Sequence, residues 1–185
     1  MWLKRRFLGA LRRFLWWIGR AEPERAHHVV VTVLEWAAAS PQTLDVLQSV
    51  AGHQLPQDAP FREVMGLRFR SPVGLAAGFD KNGRCLAALE KFGFGFLEAG
   101  GVTVNPQAGN PPPRVQRFPP PGAIINALGF PNEGVDAISS RLARTRSLSI
   151  PVGWNLAKSR DTPPEHAAAD FVVRNLNAFR RAPNY

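Results

Sequence analysis

Cysteine is almost absent from this chain. Cys85 stands alone among 185 residues, which excludes an internal disulfide and a cysteine-rich metal site and makes a reducing, cytosolic side the natural expectation. Acidic residues are missing from the first 20 positions, where Lys4, Arg5, Arg6, Arg12, Arg13 and Arg20 supply all the charge. Long apolar runs are missing too. A membrane-crossing helix needs about 20 mostly apolar residues, and Arg12-Arg13 interrupts the one candidate stretch, as it would a signal-peptide core. Nor does the chain carry the Gly-x-Gly-x-x-Gly turn of a dinucleotide-binding sheet. Gly78 and Gly83 have the spacing of a phosphate loop, but Arg84-Cys85 follows them where Lys-Ser would be needed.

What is present fits one globular core: 45% hydrophobic and 20% charged residues. The net charge of +9 suggests nucleic acid until it is divided along the chain. Removing the six basic residues of positions 1–20 from the 23 leaves 17 against 14 acids, a modest +3. The charge belongs to one terminal segment and no base-reading motif follows it, so no nucleic-acid partner is expected.

That segment is amphipathic. At 100° per residue, Leu3, Phe7, Leu11, Phe14 and Ile18 share a stripe widened by Leu8 and Leu15, with Arg5, Arg6, Arg12, Arg13 and Arg20 opposite. Trp2, Trp16 and Trp17 sit beside the charges, where indole rings meet lipid headgroups. The pattern predicts a helix lying in a membrane surface. A helix packing its stripe on the rest of the protein is the alternative, but five arginines and three tryptophans exceed what such a helix needs. Glu22-Pro23-Glu24-Arg25 then reads as a first helical turn, with a helix from Ala26 to Ala39 and another over 42–51. Residues 1–52 thus form a helical module, and 53–64 a linker.

From residue 65 the pattern changes. Leu67 to Arg70 alternates like a strand, and Val73 to Ala77, Phe94 to Ala99 and Ile150 to Leu156 are apolar runs suited to buried parallel strands. Helices are predicted over Asn82–Phe92, Asn132–Arg146 and Pro163–Arg180. Between the second strand and second helix runs an excursion holding eight of the 17 prolines. Threefold alternation of strand and helix indicates a parallel α/β fold. Polar residues follow each strand: Asp80-Lys81-Asn82, then Thr103 and Asn105, then Asn155, Lys158 and Ser159. That placement fits a (β/α)8 TIM barrel, whose active site lies at the carboxyl ends of its strands. A complete barrel takes about 250 residues. Residues 65–185 supply about three of eight units, which would leave the third strand an open edge.

The runs GLAAGFDKNG (74–83), GFGFLEAGGVTVNPQAGNPPPRVQRFP (93–119), INALGFPNEGVD (125–136) and VGWNLAKSRDTP (152–163) resemble, in order and spacing, the first half of class 2 dihydroorotate dehydrogenases. EPERAHH (22–28) resembles that class's helical extension. The resemblance implies a barrel binding flavin mononucleotide (FMN), oxidation of dihydroorotate to orotate, and electron transfer to a membrane quinone in pyrimidine biosynthesis. It also implies a peripheral protein on the cytoplasmic side of an inner membrane, if bacterial. By position, Ala77, Gly78, Phe79, Asp80, Lys81, Gly101 and Asn155 would contact FMN. Lys81, Asn126, Ala127, Leu128, Gly129 and Phe130 would hold substrate, and His27 and Arg117 would line a quinone tunnel.

The chemistry of these residues agrees. An ammonium suits a carboxylate and a reduced flavin edge, small residues let backbone approach a flat ring, and an asparagine amide both donates to and accepts from an imide. The sequence departs from the family at Gly101, where a hydroxyl-bearing residue is usual, at Ala127, where arginine is usual, and at Ala157 and Ser159 around Lys158. The family's proton-accepting serine lies beyond its third barrel helix, and no serine of residues 1–185 matches it. Cys85 is not the cysteine base of the soluble class, and a packing role is expected for it. Catalysis by the isolated chain is therefore not expected, and a non-catalytic membrane-surface protein of the same descent is the alternative.

Overall fold

In the computed structural model, residues 2–20, 22–51, 61–118, 122–170 and 179 are described. Three helices open the chain: α1 (Trp2–Ile18), α2 (Pro23–Ala38) and α3 (Pro41–Ala51). Pro23 starts α2, with Glu24 in its first turn, because a residue without an N–H costs nothing at a helix start and an acid there meets the helix dipole. The elbow between α1 and α2 is tight at Gly19, where an added Cβ would lie 3.0 Å from the Ala26 Cβ.

The buried stripe of α2, with Val31 and Leu34, and Leu44 of α3 pack against Leu86–Leu89 of the short helix α4 (Leu86–Glu90). The helical module and the strands beyond it thus share one core. α4 is shorter than the predicted 82–92. The buried Asp80 carboxylate accepts the Arg84 and Cys85 amides at 2.9 and 2.8 Å, and Gly83 adopts φ +64°, so this stretch turns before it can coil.

Leu75 makes a parallel bridge to Leu97 at the start of β3 (Leu97–Val102), and β3 pairs in parallel with β6 (Val152–Leu156), Leu97 opposite Val152 and Gly100 opposite Asn155. This is the α/β order expected. The first expected strand, however, shrinks to the single Leu75 bridge, for no strand pairs its other side among the described residues. α5 (Val135–Leu142) connects toward β6 and is shorter than the predicted 132–146.

Two hairpins complete the fold. β1 (Arg62–Val64) pairs with β2 (Leu67–Phe69) through Met65 and Gly66, both at positive φ as a two-residue turn requires, so pairing begins inside the segment read as linker. β4 (Val115–Phe118) pairs with β5 (Ala123–Asn126) inside the proline-rich excursion. That hairpin was not expected: each strand has four residues, and the prolines lie outside them. Of the predicted helix 163–180, a 3-10 turn at Pro164–His166 opens the segment, and Phe179 stacks on Trp154 at 4.8 Å. Residues 171–178 and 180–185 lie outside the described residues. Among the described residues no helix is long and apolar enough to cross a membrane.

Candidate functional site

The carboxyl ends of the three parallel segments bring Gly78, Gly101 and Asn155 together. The Gly78 amide donates to the Gly100 carbonyl at 2.8 Å, and Gly100 faces Asn155 across β3 and β6. Gly78 adopts φ +103° and no atom lies within 4 Å of where its Cβ would be, which leaves an open strip of backbone. Phe130 closes the row from the other side. A Cβ on Gly101 would lie 2.9 Å from its ring and 3.0 Å from the Asn155 Oδ1.

Lys81 lies half-buried next to that strip, its Nζ donating to the Gly78 carbonyl at 2.7 Å. Burial pushes the ammonium below its ordinary 10.5, with Glu24 opposing and Arg114 reinforcing the fall. Asp80 has a different task. Its carboxylate is committed to the two amides that start α4, so only its backbone faces the strip. Ala77 and Phe79 flank Gly78 in the same turn, both half-buried.

His27 of α2 reaches this loop directly. Its Nε2 lies 2.7 Å from the Phe79 carbonyl, and its ring meets the Phe79 ring edge-on at 5.4 Å. Burial pushes the imidazole below its ordinary 6.5, opposed by the bond to Phe79. Arg117, on β4, donates to the Gly19 carbonyl at 3.2 Å. The two residues expected along a quinone path thus tie the helical module to the loop at Gly78 and to the β4–β5 hairpin.

The lowered imidazole has a measurable result. Between pH 6.5 and its folded value the unfolded chain holds a proton that the folded chain lacks, so stability falls as pH falls through that window. The urea midpoint should drop from pH 7.5 to pH 5.5, and His27→Gln should flatten the drop. Equal slopes in the two proteins would remove His27 as its source. Glu24, held below its ordinary 4.5 chiefly by its hydrogen bond from Arg114, acts in a separate window, losing its contribution only as pH falls below that value.

The segment Asn126–Phe130 is exposed along much of its length but tied at nearly every peptide. The Ala127 amide donates to the Arg114 carbonyl at 2.8 Å, and the Ala127 carbonyl accepts from Asn110 Nδ2 at 2.7 Å. The Leu128 carbonyl accepts the Asn110 amide at 3.0 Å, and Gln107 Nε2 donates to the Gly129 and Phe130 carbonyls, each at 3.1 Å. The Asn126 side chain, at the end of β5, is left exposed.

Comparison with known proteins decides what this arrangement belongs to. The family described as Dihydroorotate dehydrogenase matches residues 61–182. The chain belongs to the dihydroorotate dehydrogenase family. It is 46% identical over 168 residues to the dihydroorotate dehydrogenase (quinone) of Acidithiobacillus ferrooxidans, covering 89% of this chain and 44% of that one. It is 48% identical over 153 residues to that of Alkalilimnicola ehrlichii, covering 83% and 43%. Its similarity is thus to the class 2, quinone branch. Among solved structures, a dihydroorotate dehydrogenase of Eimeria tenella in complex with ferulenol superposes with a TM-score of 0.65 at 35% identity, over 80% of this chain and 38% of that one. The chain spans less than half the length of these relatives.

Two of the departures from the dihydroorotate dehydrogenase pattern, Gly101 and Ser159, have local accounts. At Gly101 the space for a side chain is already taken by Phe130 and Asn155. Ser159 is buried and accepts the Asn105 amide at 3.1 Å, which joins the loop after β6 to the loop after β3. Lys158 folds onto its own loop, donating to the Ser159 and Thr162 carbonyls, both at 2.8 Å. Cys85 is fully buried, and burial pushes its thiol well above the ordinary range, so it packs and does not react.

Sequence reasoning missed the residues that hold the site. Asn132, Gln107, Asn110, Arg114 and Glu24 all lie inside the quoted motifs. Beside local bonds, each has a partner 17 to 90 positions away, a separation that no local pattern shows.

Proposed function

We propose that this chain forms part of the flavin- and substrate-binding side of a quinone-reducing dihydroorotate dehydrogenase. In this reading residues 65–185 supply about three units of a (β/α)8 barrel and residues 1–52 a membrane-resting module, with 53–64 between them. The observation that carries it is the convergence of Gly78, Gly101 and Asn155 at the ends of three neighbouring parallel segments, with Lys81 and the Asn126–Phe130 loop close by.

The residues fit FMN. The open backbone at Gly78 accommodates a flat ring, Lys81 offers a half-buried cation, and the exposed Asn155 amide offers a donor and an acceptor. When bound, the flavin supplies the two-electron acceptor for dihydroorotate oxidation. The chain's own groups bind and orient. Lys81 exchanges its bond to the Gly78 carbonyl for the substrate carboxylate, a charge-assisted contact. Asn126 pairs with the pyrimidine imide through its amide, and Phe130 walls the site. No serine of residues 1–185 matches the family's proton acceptor, so no proton-removing role is assigned among them. His27 and Arg117 mark the quinone path, between the α1–α2 elbow and the loop at Gly78.

Joining this chain to the part of the A. ferrooxidans relative beyond the matched region tests the reading. The chimera should purify yellow and reduce quinone with dihydroorotate, and Asn126→Ala should cut kcat/KM about 100-fold or more, the scale of a lost orienting contact. The 185-residue chain alone should hold no stoichiometric flavin. A folded chimera without flavin would favour the non-catalytic membrane-surface reading instead.

Peripheral attachment to a membrane, at the cytoplasmic face of the inner membrane if the protein is bacterial, is proposed for α1. Leu11 and Phe14 are 39% and 53% exposed and Trp17 is exposed too, so this part of the apolar stripe does not pack on the protein. The chain should sediment with anionic vesicles, and Leu11→Ser with Phe14→Ser should weaken that binding at least about tenfold, given roughly 1.5–3 kcal/mol for each large side chain inserted. Undiminished binding would show that the stripe is not inserted.

A further inference from the structure

The strongest unassigned feature is an ion pair joining α2 to the loop that faces substrate in the reading above. Arg114 Nε and Nη2 grip the two Glu24 oxygens at 2.9 and 3.0 Å, and both side chains are largely buried, at 13% and 24% exposure. A two-point grip fixes a guanidinium in orientation as well as position. Its third nitrogen, Nη1, donates to the carbonyls of Ala108 and Asn110 at 2.6 and 2.9 Å. Asn110 in turn holds Ala127 and Leu128, and the Arg114 carbonyl accepts the Ala127 amide. Glu24 to Arg114 to Asn110 to Ala127 is therefore one unbroken chain of bonds from the first turn of α2 to the loop.

We propose that Arg114 is a positioning residue that orders the Asn126–Phe130 loop only while Glu24 of α2 is in place. Docking of the helical module thereby sets the geometry of the substrate loop. This rests on the reading of that loop as substrate-facing. The pair is suited to the task because the carboxylate does not act alone: Lys81 and His28 lie within electrostatic reach of Glu24. Loss of the acid would leave Arg114 largely buried and close to Lys81 without the carboxylate that pairs with it, and so push the guanidinium out of the turn it braces.

Amide hydrogen exchange on the 185-residue chain tests this without any ligand. The Ala127 amide bonds to Arg114 and the Asn110 amide to Leu128, so both report on the loop. Glu24→Ala should speed exchange at both at least about tenfold and leave β3 and β6 unchanged, equivalent to some 1.4 kcal/mol of local opening. Glu22→Ala is the control. It removes another acid at the start of the same helix, one that pairs with Arg25 and not with Arg114, and it should leave both amides as they were. Arg114→Lys keeps the charge but loses the two-point grip, and should behave like Glu24→Ala.

Unchanged exchange at Ala127 and Asn110 in Glu24→Ala would overturn the proposal. So would equal acceleration throughout β3 and β6, or full rescue by lysine at 114. If either variant fails to fold, wild-type exchange decides: a coupled loop and α2 start should open with one free energy, and two different free energies would contradict the coupling. Orotate added to the chimera then separates the two ideas. Exchange that responds to Glu24→Ala but not to orotate would keep the positioning role and reject the substrate role of the loop.

Discussion

Replacing Gly100 with alanine should cost about 3 kcal/mol or more, enough to leave little folded chain. Gly100 adopts φ +102°, outside the range of L side chains, and an added Cβ would lie 2.4 Å from the Asn155 carbonyl oxygen across the sheet. That oxygen is backbone and cannot swing aside, so β3 and β6 must part. The Gly100 carbonyl also accepts the Gly78 amide, so the damage reaches the open backbone strip. Gly153 is the internal control. It faces Glu98 in the same ladder, and its added Cβ would meet nothing closer than 3.8 Å, so Gly153→Ala should shift stability by no more than about 0.5 kcal/mol. Urea titrations followed by circular dichroism compare the two; similar midpoints would contradict the account of the sheet.

Asn132→Leu should cost about 3–5 kcal/mol, because the volume is kept and only the polar contacts go. Asn132 is 7% exposed and uses all of its amide. Its Oδ1 accepts the Thr103 and Gly134 amides at 3.2 and 2.9 Å, while Nδ2 donates to Thr103 Oγ1 at 2.8 Å and to the Phe130 carbonyl at 2.9 Å. Leucine would leave the buried Thr103 and Gly134 amides without partners, and would take one of two bonds each from the Thr103 hydroxyl, which keeps Asn105, and the Phe130 carbonyl, which keeps Gln107. It would also loosen the Phe130 carbonyl, left with Gln107 alone, so tryptic cleavage at Arg114 or Arg117 should quicken along with the loss of stability. A change below about 1 kcal/mol would mean that water replaces the amide.

These two positions show what was legible and what was not. The parallel order of the strands could be read because apolar runs ended on polar residues three times, and α1, α2 and α3 because their periodicity is unbroken. Asn132 was read as the start of a helix. Its bonds to Thr103 and Phe130 hold it in the loop, and α5 begins only at Val135. The resemblance implies that Asp80 lies against the flavin; that its side chain accepts the two amides leading into α4 is a detail no motif shows. The β4–β5 hairpin escaped because two four-residue strands among prolines carry no period long enough to detect. Motifs reported which loops gather. They did not report which side chains hold the loops, since that depends on partners such as Glu24 and Arg114, 90 residues apart.

We propose that the loops around Gly78 and Asn126 form half of a flavin and substrate site. Anaerobic addition of dihydroorotate to the yellow chimera, with the visible flavin absorbance recorded over time, tests it most directly. Rapid bleaching is expected, slowed about 100-fold or more by Lys81→Ala, where the oriented cation is lost. Bleaching at the same rate with alanine at 81, or none at all in a chimera that holds flavin, would contradict it.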